Sequence, residues 1–345
     1  MKRKVRVGDL YIGGDAPISI QSMTNTDTRD WKSTVEQIAR LTDAGCDIVR
    51  VAVPDMEAAE QIANIKKNIK IPLVVDIHFD YRLALKSMEN GADKVRINPG
   101  NIGSMDNVKK VVDMAKERQI PIRIGVNGGS LDKELLKKYG GVTADALVES
   151  ALSHVQILDE LNFNDTIVSI KVSSVPLTLD AYRKFDRLND IPLHIGVTEA
   201  GVSSVGMTKS ACCLGALLAE GIGNTMRVSL TDDPVNEVYA AKQILKAMEI
   251  RNGGINLISC PTCGRTEVNL IELASKAEKL LSGLDKNLTV AIMGCAVNGP
   301  GEAREADIGL AGGKNEFILF KKGQILRKID EDKALDALME EIEKL

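Results

Sequence analysis

Eight short runs rich in β-branched residues recur along the first two-thirds of the chain, and stretches of helical periodicity separate them. The runs are ISIQSM (18–23), IVRVAV (48–53), LVVDIH (73–78), KVRINP (94–99), PIRIGV (121–126), IVSIKVS (167–173), LHIGVT (193–198) and TMRVSL (225–230). Between them, segments such as STVEQIARLTDAG and VKKVVDMAKERQ space apolar residues three and four apart, and several end in glycine, as helix C-termini do. Alternation of strand and helix implies a parallel sheet of the α/β class. Eight repeats suit closure into a (β/α)8 TIM barrel, with a doubly wound open sheet as the alternative. The interval 128–166 has room for an extra helix around LDKELLKKYG. The 345 residues allow this barrel, placed at 1–250, to be followed by a smaller α+β unit at 251–345, with RNGG (251–254) as the linker.

Polar residues inside the strand runs locate the chemistry. Arg50, Arg96, Arg123, Lys171 and Arg227 each fall within a different strand, where a cation has no structural purpose. Residues two apart face the same way, so Asp76 pairs with His78, Arg96 with Asn98, Lys171 with Ser173 and Arg227 with Ser229. Arg123 shares its parity with Asn127. These sets can point into a barrel mouth, where five cations repel one another unless an anion joins them. Guanidinium forks and a lysine point charge suit phosphate oxygens, so a phosphorylated ligand, a diphosphate above all, is expected. Ion pairs to neighbouring helices are the structural alternative. Glu199, after the seventh run in GVTEAG, is the carboxylate best placed for proton transfer, or else a solvated loop acid.

The other unit carries CPTCGR (260–265) and GCAVNGPGE (294–302). A structural zinc site wants four closed nitrogen or sulfur ligands, and here only Cys295 follows the Cys260–Cys263 pair. Three thiolates with one position open fit an iron–sulfur cluster better, and Glu302 can fold back as the fourth ligand. Cys46, Cys212 and Cys213 lie in apolar patterns and are expected to be buried and inert. His154 reads as a helix-face residue, and His194 as a residue at the bottom of a strand. Net charge is −4 and aromatics make up 3 % of the chain, which speaks against nucleic acid as a partner. No run reaches the roughly 18 apolar residues that cross a bilayer, so no membrane is expected. Without a secretory signal pattern the protein reads as cytoplasmic.

These segments are similar to one family across nearly the whole chain. PISIQSMTNTDTRD, DIVRVAVP, VVDIHFDYRLAL, KVRINPGNIG, PIRIGVNGGSL, HIGVTEAG, GIGNTMRVSLTDDPVNEV, SCPTCGR and GCAVNGPGEAREADIG resemble the 4-hydroxy-3-methylbut-2-enyl diphosphate synthases of the non-mevalonate isoprenoid pathway, in their short two-domain form. The resemblance implies a TIM barrel followed by a domain whose Cys260, Cys263, Cys295 and Glu302 hold a [4Fe–4S] cluster. By the same matching, Arg50, His78, Arg96, Arg123, Asn127, Lys171, Arg227 and Ser229 would bind the substrate diphosphate. Asn298 would lie near the substrate, and Glu199 would be the acid/base. The expected reaction is reductive opening and dehydration of 2-C-methyl-D-erythritol 2,4-cyclodiphosphate. Two electrons would come from ferredoxin or flavodoxin, and Glu199 would need partial desolvation to act as an acid. A Schiff-base aldolase using Lys171, with a zinc-bearing second domain, is the rival.

The eighth helix, placed at 234–250, would run from the rim to the bottom of the barrel, roughly 25 Å at 1.5 Å per residue. RNGG spans at most about 14 Å. A cluster domain tethered there should not reach its own barrel mouth, so a homodimer with the active site completed in trans is expected.

Overall fold

The computed structural model describes residues 1–251, 254–281, 284, 286–295, 301, 303–314 and 316–345. It divides into two compact units, Met1–Arg251 and Asn252–Leu345.

An antiparallel hairpin, β1 (Val5–Val7) and β2 (Leu10–Ile12), opens the first unit. The barrel strands follow: β3 (Ser19–Met23), β4 (Ile48–Ala52), β5 (Leu73–Asp76), β6 (Lys94–Ile97), β7 (Ile122–Asn127), β8 (Thr166–Lys171), β9 (His194–Ile195) and β10 (Thr225–Met226). All pair in parallel, in the order β8-β7-β6-β5-β4-β3-β10-β9. A single bridge between Val168 and Leu193 joins the two ends and closes the barrel. The eight strand runs thus form one sheet, and the extra helix lies at Lys133–Tyr139.

Period-two alternation sorts the strand residues into two sets. Val49, Val51, Val75, Val95 and Ile97 are fully buried in the large core that also takes in side chains of the surrounding helices. Their alternates point into the barrel. Aspartates fix where several helices begin: the Asp30 carboxylate accepts from the Ser33 amide, and Asp233 accepts from Val235 just before the helix Pro234–Ala247. The hairpin is a feature the strand reading did not include. Its Val5, Val7 and Ile12 pack on Ile48, Val74 and Ile167, inward-facing residues low in three strands, and so plug the bottom of the barrel. Burying each of these side chains is worth on the order of 1.5–3 kcal/mol.

Cys46 and Cys213 are buried, as expected, but Cys212 is exposed. Neighbours on the helix Ser203–Ala219 are turned about 100° apart, so only one of the two thiols can face the core.

In the second unit, β11 (Asn256–Ser259), β12 (Thr289–Met293) and β13 (Ile308–Gly313) run parallel, and β14 (Glu316–Lys321) and β15 (Gln324–Asp330) complete the sheet antiparallel. Helices Leu270–Leu281 and Ala334–Glu343 supply Leu270, Ala277, Leu338 and Ile342 to its core. The central strand β13 carries three glycines, which hide it from β-propensity. Tertiary packing explains one of them: a Cβ on Gly309 would sit 2.4 Å from the Phe320 ring.

Among the described residues no helix is long and apolar enough to cross a membrane.

Candidate active site

The inward-facing residues near the C-terminal ends of the strands line a cavity of about 250 Å³. Its walls include Arg50, His78, Arg96, Arg123, Asn127, Lys171, Arg227 and Ser229, together with Asp76, Ser169 and Thr198. The eight residues expected to bind an anion are therefore brought together, each from the strand or strand tip that holds it. Glu199 is not among the lining residues. It is exposed, beside Thr198, with a backbone φ of +53° that is uncommon for a residue with a side chain. The barrel unit by itself does not give this carboxyl the partial desolvation expected of it.

Two carboxylates are set against the five cations. Asp76 Oδ1 accepts from Arg96 Nη1 at 3.1 Å, and its Oδ2 lies 3.9 Å from Arg50 Nε and 3.6 Å from His78 Nε2. Burial works against this carboxylate, but the Arg50 charge, the His78 contact and the charges of Arg96 and Arg123 overcome it, holding the carboxyl far below the usual range. Glu237, on the helix Pro234–Ala247, takes Arg227 in a fork of two 3.1 Å bonds and also accepts from Ser22 Oγ. The helix ion pair thus holds for Arg227. Among the described residues it does not hold for the others.

Arg123 is 1 % exposed; among the described residues its one side-chain acceptor is Gln21 Oε1 at 3.2 Å, and its Nε has no partner. Arg50 is otherwise faced by the Met23 thioether, a weak acceptor, at 2.8 Å and 3.0 Å. Among the described residues Lys171 Nζ has neither a hydrogen bond nor an ion pair. Burial, then the neighbouring cations, push Lys171 and Arg123 well below their ordinary values. Arg50 is brought down to about 10, with burial the largest cause. Among the described residues, five cations against two carboxylates leave three formal positive charges without an internal counter-charge. Such a pocket is a receptor for a multiply charged anion.

Reading the sequence missed a sixth cation. Lys94 shares the parity of Arg96, is fully buried at the start of β6, and has an Nζ without a partner among the described residues. Its position two residues before Arg96 was the available signal. Gln21 and Glu237 were missed because nothing in sequence marks which polar strand or helix residue meets a distant arginine. His194, as expected, lies at a strand start; it is fully buried, and burial depresses its basicity strongly.

In the second unit, Cys260 follows β11 directly and Cys295 lies two residues beyond β12, at the same end of two paired parallel strands. The Gly294 amide donates to Cys260 Sγ at 3.2 Å. Cys263 is exposed, its amide donates to Thr266 Oγ1 at 3.0 Å, and backbone and side-chain bonds from Arg265 lower the pKa of its thiol. Three thiols, one accepting an amide and one drawn toward thiolate, suit a thiophilic iron group. No three His, Cys, Asp or Glu side chains converge as a finished metal site among the described residues. Asn298 and Glu302 lie outside those residues.

Residues 2–242 match the GcpE TIM-barrel domain, and residues 256–344 match the GcpE protein C-terminal domain. The chain belongs to the GcpE family. Curated relatives include the 4-hydroxy-3-methylbut-2-en-1-yl diphosphate synthase (flavodoxin) of Ruminiclostridium cellulolyticum, 60 % identical over 99 % of this chain and 97 % of that protein. The protein of the same name from Geobacter sulfurreducens is 59 % identical, with the same coverage. Among solved structures, the Yersinia pestis dihydropteroate synthase aligns with a TM-score of 0.53 at 11 % identity, over 73 % of this chain and all of that one. That likeness concerns the barrel fold alone.

Proposed function

We propose that this GcpE family chain converts 2-C-methyl-D-erythritol 2,4-cyclodiphosphate to 4-hydroxy-3-methylbut-2-enyl diphosphate. The observation that carries the reading is the buried cavity with five cations and too few counter-charges, on a chain about 60 % identical to synthases of that product. In the reaction the ring C–O bond at the tertiary C2 breaks and its oxygen stays with the diphosphate, two electrons and two protons are taken up, and the secondary C3 hydroxyl leaves as water. The family names favour flavodoxin as donor; ferredoxin is the other candidate. Among the described residues Lys171 has no anion of its own, which fits a ligand role, and the relatives' names speak against the Schiff-base aldolase reading.

Cys260, Cys263, Cys295 and Glu302 would hold a [4Fe–4S] cluster, which supplies electrons one at a time. The chain's own residues do the remainder. Arg50, Arg96, Arg123, Lys171 and Arg227 clamp the diphosphate oxygens, with Asn127, Ser229 and His78 at the rim. Asn298 would lie near the substrate. Glu199 would hand a proton to the departing hydroxyl oxygen. In anaerobically reconstituted protein with reduced flavodoxin, phosphorus NMR should show the cyclic diphosphate replaced by the linear one. Unchanged substrate bound to iron-loaded protein would overturn the reading.

We place the protein in the cytoplasm and read it as a homodimer in which each cluster domain completes the partner's barrel. The helix Pro234–Ala247 and the short RNGG tether support this, as does the exposed Glu199, which needs another surface to desolvate it. Mixing inactive Glu199→Gln and Cys263→Ser subunits should restore about a quarter of wild-type activity. Half of randomly exchanged dimers are mixed, and each has one intact site of two. No recovery despite proven exchange would sink the arrangement in trans.

A further inference from the structure

We propose that Tyr182, which lies outside the cavity, is a positioning residue for Lys171: its hydroxyl holds the barrel seam open so that the lysine amine lies across Gly196. The inference rests on the reading of Lys171 as an anion ligand.

The seam between β8 and β9 is where the barrel closes, and it is thinly bonded. Val168 N donates to Pro192 O at 3.0 Å, the rung belonging to the Val168–Leu193 bridge. In a parallel ladder the next rung, two residues on along each strand, would join Ile170 N to His194 O. That bond is replaced. Tyr182, on the helix Val175–Leu188 that follows β8, puts its hydroxyl between the two groups. It accepts from Ile170 N at 3.1 Å and donates to His194 O at 2.7 Å.

One hydroxyl thus satisfies both backbone groups and sets the two strands farther apart than a direct rung would. Tyr182 is completely buried, so water cannot take over this duty. Lys171 comes immediately after the spliced rung on β8, and Gly196 comes two residues after it, just past the end of β9. A Cβ at Gly196 would stand 2.8 Å from Lys171 Nζ and 2.6 Å from Arg227 O, so the amine rests against bare backbone in the widened seam. Loss of the hydroxyl either lets the strands close to a direct rung or strands two buried polar groups. Both outcomes move the segment that carries Lys171.

Calorimetric titration with inorganic pyrophosphate and with the cyclic diphosphate tests this in wild type, Lys171→Met, Tyr182→Phe and the double variant. Tyr182→Phe should weaken binding roughly tenfold, and the same change should cost less than about twofold in the Lys171→Met background, the non-additivity expected of coupled residues. Gly196→Ala should reproduce this pattern without touching the hydroxyl. Wild-type affinity in Lys171→Met would overturn the ligand reading itself. With that variant weakened, equal losses from Tyr182→Phe in both backgrounds, no loss, or a chain that does not fold would each show the tyrosine to be structural only and overturn the proposal.

Discussion

Cys263→Ser is expected to lower turnover roughly a thousandfold or more, a loss of about 4 kcal/mol or more in transition-state stabilisation, and to lower the iron content of reconstituted protein. The same variant should bind the cyclic diphosphate within about threefold of wild type, under roughly 0.7 kcal/mol. The separation follows from where the groups lie. The cations that receive the anion lie on β4, β6, β7 and β8 or directly after β10 of the barrel unit, whereas Cys263 sits in an exposed turn of the other. Its thiol is already drawn toward thiolate by Arg265, and serine oxygen is a poor substitute for a sulfur ligand to iron. Iron analysis, visible absorption and calorimetry on one preparation provide the three readouts. Full turnover in Cys263→Ser would remove the CPTC turn from the reaction, and loss of anion binding would contradict a cavity formed by the barrel's own cations.

Asp76→Asn should have the largest effect on stability. Asp76 is 5 % exposed and is the carboxylate that both Arg50 and Arg96 approach. Removing one partner of a buried ion pair costs about 3–5 kcal/mol because the remaining charges stay buried. For a domain of this size that corresponds to a fall in Tm on the order of 10 °C. The pH dependence has a definite sign. The folded carboxyl is held far below the ordinary value near 3.9. Its contribution is therefore complete above that unfolded value and is lost as pH falls below it toward the folded one. The gap between wild type and Asp76→Asn should be constant from neutral pH to about 4 and shrink in stronger acid. Pyrophosphate should raise the Tm of Asp76→Asn more than that of wild type, since it supplies the missing anion. Equal melting of the two proteins without anion would show that Asp76 does not neutralise the cluster.

The sequence by itself determined the eight barrel strands, the barrel, and most of the residues now seen around the cavity, though not Ser169 or Thr198. Eight β-rich runs separated by helices leave few ways to bury both faces of a sheet, and side-chain alternation along a strand is fixed by backbone geometry. Arg50 and Arg96 could therefore be assigned to one side of their strands before any packing was known. Two adjacent thiols already showed the limit of this reading, for Cys212 is exposed and Cys213 buried on one helix, a choice made by the helix's orientation on the barrel. Only the tertiary structure decided which cations have partners. Asp76 serves Arg50 and Arg96 because β4, β5 and β6 are neighbours in register, and Glu237 reaches Arg227 because its helix packs on β3, the strand paired with β10. It also decided that β13 is the central strand despite its glycines, and that the first dozen residues plug the barrel. Finally, it placed Tyr182 in a rung that belongs to two other residues. Such pairings join groups on separate elements ten or more residues apart, or substitute a side chain for backbone, and no local period in a sequence encodes them.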